Sequence, residues 1–219
     1  ALGLAGGLGP GTAFAHEFWI DPTAYQVAPG APLVADIRVG ENLEGSAYSF
    51  IPPNFTRFEV VQGSTVTPVA GRAGDRPALN MALEDEGLAV VVHVTRDYTL
   101  TYREWQRFLN FTDHKDFGWA VEAHRARGLP ETGFKELYSR HAKSLIAVGT
   151  PTGADRRMGL DVEIVALENP YLGNMSDGFS IQVFYQDEPV AGGQVELFAR
   201  APDGTVAVTL HETAADGTA

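Results

Sequence analysis

Residues Gly87–Asp97 read "GLAVVVHVTRD", and within them Ala89–Val94 carries one polar side chain, His93, among apolar ones. The run is short, rich in β-branched valine, and bounded by glycine on one side and by Arg96-Asp97 on the other. That combination predicts a strand rather than a helix. Side chains on a strand alternate between its two faces, so a strand that is apolar at successive positions must be covered on both. The stretch therefore predicts the central strand of a layered, sheet-rich domain.

Upstream, "LVADIRV" (Leu33–Val39) alternates, with Leu33, Ala35, Ile37 and Val39 on one face and Asp36 and Arg38 on the other. "RFEVV", "TVTPVAG" and "ALNMAL" are further strand candidates, separated by the turn-forming clusters "APGAP" (28–32), "IPPN" (51–54) and "GRAGDRP" (71–77). Short strands at this spacing predict an antiparallel sandwich. Downstream the period changes. "REWQRFLNF" puts Trp105, Phe108 and Leu109 at helical spacing, and His114, Phe117, Val121 and His124 fall on one stripe. Phe134, Leu137, Tyr138, His141 and Leu145 form another such stripe. These predict a helical insertion at about 102–145 within a domain spanning 16–150. "LIAVG" then returns to strand, and "PTGADRR" (151–157) reads as a linker. From 158 to 219 strands resume in "LDVEIVAL", "FSIQVFYQ", "QVELFARA" and "TVAVTLHET", with hairpins expected around "DEPVAGG" and "PDGT". The chain closes on "AADGTA", read as a turn with no strand after it, so 158–219 is expected to be a truncated sandwich.

The opening "ALGLAGGLGPG" is uncharged and glycine-rich, and Ala13-Phe14-Ala15 has the small-x-small form of a signal-peptidase site. Residues 1–15 are thus expected to be the remnant of a secretory signal, with His16 first in the mature chain. The formal net charge is −12, with no run of Lys or Arg, which excludes a nucleic-acid partner. There are no cysteines, which excludes a disulfide scaffold, a thiolate metal site and a cysteine nucleophile. An exported chain without disulfides points to the bacterial periplasm. Outside the signal remnant no apolar stretch approaches the ~20 residues that span a bilayer.

Catalytic signatures are absent: there is no GxSxG, P-loop, HExxH or GxGxxG. Glu84-Asp85-Glu86 reads as a solvated loop, and Trp19, Trp105 and Trp119 read as core residues. The histidines carry more chemistry. Once residue 15 is removed, His16 presents an α-amine and an imidazole, two nitrogens that can chelate one ion. A second histidine would complete a three-nitrogen site suited to Cu(II) or Ni(II). His93 is the first candidate for that partner, on the strand face shared with Val91 and Thr95; a hydrogen-bonded histidine at a layer boundary is the competing reading. Glu17 could add an oxygen. His114 and His141 are further candidates, although His141 in an apolar stripe also reads as a core residue.

"HEFWIDP", "YSRHAKSLIAVG", "ENPY" and "VFYQDEPVAGGQVELF" together resemble a family of bacterial periplasmic proteins of unknown function, often labelled a nickel- or cobalt-uptake component. The resemblance runs from His16 to the end of the chain. It implies a mainly β fold of two β-sandwich domains, Ig-like or transthyretin-like, the first with the helical insertion. The second would be transthyretin-like or carboxypeptidase-regulatory-like. It also implies transition-metal handling, with His16 as the residue that carries over. The function expected is therefore a periplasmic binding protein for nickel, cobalt or copper, accessory to a membrane transporter and with no turnover of its own. The alternative is an envelope module that binds no metal and docks a protein partner through its sandwiches.

Overall fold

The computed structural model describes residues 16–175 and 178–219, so the signal-sequence reading of 1–15 lies outside the described residues. The described chain falls into two compact units, one formed by 100–136 and the other by 16–99 with 137–219.

In the larger unit the first eight strands are β1 (Glu17–Pro22), β2 (Gln26–Val27), β3 (Pro32–Glu41), β4 (Glu44–Tyr48), β5 (Phe55–Gln62), β6 (Thr65–Pro68), β7 (Leu79–Ala82) and β8 (Gly87–Thr95). The chain leaves through β9 (Tyr98–Tyr102), forms α1 (Trp105–His114) and α2 (Gly118–Ala126), and returns through β10 (Phe134–Tyr138), which pairs with β9. Then follow β11 (His141–Val148), β12 (Val162–Ala166), β13 (Ile181–Tyr185), β14 (Glu188–Pro189), β15 (Gln194–Arg200) and β16 (Val206–Glu212).

All nine residues of β8 are buried, as its two-faced apolar pattern requires. It is the middle strand of a five-stranded sheet in the order β2-β11-β8-β5-β6. One face packs Val91 and Ala89 with Phe58, Val60, Ala142 and Ile146 against Ile20, Leu33, Ala35 and Ile37 of a second sheet, in which β3 pairs with β1, β4 and β7. The other face, Val90, Val92 and Val94 with Val61, is covered by Leu160 and Met158 from the segment after β11. Alternation on β3 is as expected: Leu33, Ala35 and Ile37 are buried, while Asp36 and Arg38 on the opposite face pair with each other. Mainly β, layered as sheet on sheet, is the architecture.

The segment 151–163 is fastened to β11 by a buried ionic cluster. Lys143 Nζ donates to Asp155 Oδ2 and Glu163 Oε1, each at 3.0 Å, and to the Arg156 carbonyl at 3.0 Å. Glu163 also accepts the backbone N–H groups of Met158, Gly159 and Leu160. Burial by itself would raise the Glu163 pKa, but these N–H groups and the Lys143 ammonium hold it below the usual carboxylate value. The Lys143, Asp155 and Glu163 side chains are at most 8% exposed. Position 143 is therefore a structural anchor.

Several expectations are corrected. Residues 134–138 and 141–148 are strands, not helix. Their apolar positions fit both periods over so short a span, and eight-residue antiparallel pairing of β11 with β8 decides for strand. His141 consequently sits at a strand end and not in a helical stripe. Likewise His114 and His124 do not share one helix: α1 ends at His114, Asp116 takes φ 56°, and α2 starts afresh at Gly118. Near the C-terminus β13 pairs with β14 across Gln186-Asp187, and β15 pairs with β16 across "PDGT", so "FSIQVFYQ" and "QVELFARA" are not partners in one hairpin. After the Asp216-Gly217 turn the last residues pair with β13, the Ile181 and Ala219 N–H groups each donating to the other's carbonyl.

In the smaller unit Tyr102, Trp105, Phe108 and Phe134 pack as an aromatic cluster around His124. Trp119, expected in a core, is 69% exposed. Among the described residues no helix is long and apolar enough to cross a membrane.

Candidate functional site

His16 immediately precedes β1, and its side chain is 57% exposed. β1 pairs with β3 along its whole length, Glu17 opposite Gly40 and Phe18 opposite Val39, so the position of residue 16 is set by the sheet. Its Nε2 lies 3.9 Å from Oε1 of Glu41, the last residue of β3. The β3–β4 turn beyond it is tight. Asn42 and Leu43 both take positive φ, 53° and 60°, the pattern of a two-residue hairpin turn with an unfavourable leucine in it. Gly40 and Gly45 face each other across the pair, and a Cβ on Gly40 would lie 1.9 Å from the Glu44 carbonyl oxygen. Two side chains hold this turn: Glu17 Oε2 accepts the Asn42 N–H at 3.0 Å, and Arg200 Nη2 donates to the Leu43 carbonyl at 3.0 Å. One oxygen of Glu17 is thus committed to shaping the turn beside His16.

His93 occupies a different environment. On β8 it is 4% exposed and its ring is enclosed by Phe18, Phe55 and Phe58, with centroids 5.4, 5.4 and 4.9 Å away. Burial lowers its pKa to about 4, so the imidazole is neutral at ordinary pH. Its Nδ1 has no hydrogen-bond partner. Phe18, two positions along β1 from His16, is the residue of that strand that reaches it. His16 and His93 are thus presented to solvent and to an aromatic core respectively.

His141 opens β11, with Nε2 3.0 Å from Ser139 Oγ. Its pKa is lowered, mainly by burial, with Asp161 opposing and Arg57 assisting. His114 ends α1 in the smaller unit and is exposed. His124, in the same unit, is buried with Nε2 3.0 Å or less from a carbonyl, the Pro130 oxygen at 2.9 Å. Among the described residues no three His, Cys, Asp or Glu side chains converge as a metal-holding group. The side-chain pair at His16 is imidazole plus carboxylate, and only the α-amine of a chain starting at His16 would add a third donor.

Residues missed by sequence reasoning are Glu41, which neighbours His16 from 25 positions away, and the cluster of Lys143, Asp155 and Glu163. Nothing in local spacing marks either; Glu41 arrives through the pairing of β1 with β3, and the cluster through the segment after β11 folding back onto that strand. A cavity of about 360 Å³ lies beside that cluster, with Trp19, His141 and Leu145 in its lining.

A model of the family described as "Domain of unknown function (DUF4198)" matches residues 13–219. No curated protein and no solved structure matches the chain.

Proposed function

The chain belongs to the DUF4198 family, and we propose that it is a periplasmic protein that binds a divalent transition metal, nickel, cobalt or copper, for capture or delivery to a membrane transporter. The observation behind this reading is the setting of His16: exposed, at the head of a paired strand, with a carboxylate 3.9 Å from its imidazole. Removal of residues 1–15 at the Ala13-Phe14-Ala15 site frees the His16 amine. The amine and Nδ1 then form a chelate ring on the metal, and Nε2 remains turned toward Glu41. Closing the 3.9 Å gap to hydrogen-bond distance would give the imidazole the carboxylate partner that orients metal-bound histidines. Nitrogen donors of this kind suit copper and nickel, and the order of intrinsic affinities favours copper. Binding weakens as pH falls, because the amine must lose its proton. In this reading His93 remains an aromatic-core residue and supplies no ligand.

Calorimetric titration of nickel and copper tests the proposal. Protein beginning at His16 is compared with protein carrying one additional alanine before it. The extension converts the amine to an amide and leaves the imidazole in place. Affinity is expected to fall by at least the 10–100-fold that indirect changes around a metal site cost. Equal affinities would overturn the reading.

The second reading, a module that docks a partner and binds no metal, is favoured by the exposed apolar side chains of the C-terminal strands. Val162, Ile164, Tyr185, Leu197 and Leu210 are between 47% and 64% exposed. Absence of any metal-dependent heat in the same titration would favour it.

A further inference from the structure

We propose that Lys143 and Asp155 condense within the folded chain into an amide cross-link, with Glu163 moving the proton. The three groups are already in place. Lys143 Nζ lies 2.8 Å from Oδ1 and 3.0 Å from Oδ2 of Asp155, and 3.0 Å from Oε1 of Glu163. An amine that reaches both oxygens of one carboxylate sits against the carbon between them, in the near-attack range of roughly 3–3.5 Å. The Lys143, Asp155 and Glu163 side chains are 8%, 3% and 0% exposed, so bulk water does not compete with the amine. Burial also penalises charge, which makes exchange of one proton within the ion pair less costly than in solution.

The surrounding contacts give each group a separate role. Lys143 directs its three N–H donors at Asp155, Glu163 and the Arg156 carbonyl. The proton shared with Asp155 is the one that transfers, so the freed lone pair points at Asp155. Both oxygens of Asp155 receive a backbone N–H, from Arg156 at 2.8 Å and from Ala166 at 2.9 Å. Those donors suit the oxyanion of a tetrahedral intermediate. Burial opposes the charge on Glu163, but the N–H groups of Met158, Gly159 and Leu160 together with Lys143 outweigh it, and the carboxylate stays ionised as a base.

The step balances without oxidant or cofactor. One proton passes from Nζ to an Asp155 oxygen, giving an amine and a carboxylic acid. Nζ attacks Cγ, and the carbonyl electron pair moves onto oxygen. Glu163 takes a second proton from Nζ and hands it to the hydroxyl, which leaves as water while the carbonyl re-forms. Ammonium and carboxylate become one amide and one water, with total charge unchanged. All three side chains line the cavity of about 360 Å³, which receives the water. The bond would tie β11 to the segment whose Leu160 and Met158 cover β8, in a chain that has no cysteine for a disulfide. It does not depend on metal binding.

Intact-mass spectrometry of the full chain, folded at pH 7, tests the inference. The wild type should be lighter than its sequence by one water, and proteolysis should release a branched fragment joining Lys143 to the 151–163 segment. Chain held in urea before folding should keep its full mass. Lys143→Arg retains the cation without a primary amine and should also keep it. Glu163→Gln should slow the loss of water during refolding by about 100-fold or more, the usual contribution of a proton-transferring group. Full mass in the folded wild type overturns the cross-link. So does a loss of water that persists in Lys143→Arg, since that would come from an aspartate cyclising elsewhere. If the variants do not fold, the branched fragment decides, and its absence from the folded wild type overturns the proposal.

Discussion

Replacing Lys143 with methionine should destabilise the protein by about 3–5 kcal/mol, the range for removing one partner from a buried ion pair. The reason is what the substitution leaves behind. Asp155 and Glu163 would face each other with no cation, in a place where the side chains are 3% and 0% exposed. They also anchor the segment whose Leu160 and Met158 cover the outer face of β8. Losing that anchor uncovers Val90, Val92 and Val94 as well as leaving the charges unpaired. Urea unfolding of the wild type and the variant at pH 7 measures the difference. Adding Asp155→Asn and Glu163→Gln to Lys143→Met should cost less than the sum of the single changes, since the members interact. Wild-type stability for Lys143→Met would mean that the segment is held by packing alone. The pH dependence has a definite sign. Because Glu163 is held below its ordinary pKa in the folded state, its contribution is present above the unfolded pKa and is lost as pH falls through the folded value.

His93 is expected to make stability depend on pH over a higher window. Its folded pKa is about 4 against an ordinary value of 6.5. Between those values the unfolded chain binds a proton that the folded chain refuses, so stability falls as pH drops from 6.5 toward 4 and levels off below. The total from this residue is roughly 3 kcal/mol, at about 1.4 kcal/mol per pKa unit. His93→Leu removes the titrating group while keeping an apolar side chain among Phe18, Phe55 and Phe58. Its unfolding free energy should therefore lose less than the wild type's between pH 7 and pH 4.5, by most of that amount. Carboxylates titrate in both proteins and cancel in the comparison. Parallel curves would show that the imidazole accepts its proton inside the fold. That result would place His93 in contact with water or a charge.

Much of the β framework was legible because it rests on period-two alternation. β8 and β3 could be read residue by residue, since their burial follows directly from which side chains alternate. The region 134–145 was illegible for a physical reason. Phe134, Tyr138 and His141 satisfy a helical stripe, yet Phe134, Glu136 and Tyr138 alternate just as well, and only pairing with a strand distant in sequence separates the two. The break between α1 and α2 rests on the single left-handed residue Asp116, which carries no strong local signal. At the candidate metal site, His16 was visible from its place after a cleavage pattern. Glu41 was not, because it arrives through the register of β1 on β3. The cavity was equally hidden, its walls coming from residues as far apart as Phe18 and Ile181.

The valine-rich β8 also sets a hazard for the chain while it is being made. β5 precedes β8 and can pair with it as soon as both are present. β11, the partner on its other edge, comes only after the whole of 100–136 has been produced, and the cover from Met158 and Leu160 comes later still. In the interval β8 has one bare edge and one bare apolar face, the two features that recruit strands from other molecules. The smaller unit carries its own aromatic cluster. Its length adds little to the entropy of bringing β11 back, since closure cost grows only with the logarithm of the loop. Time, rather than stability, is what that intervening unit takes from the sheet. A chaperone that shields nascent valine-rich strands would act on this chain between the synthesis of Thr95 and that of Leu160.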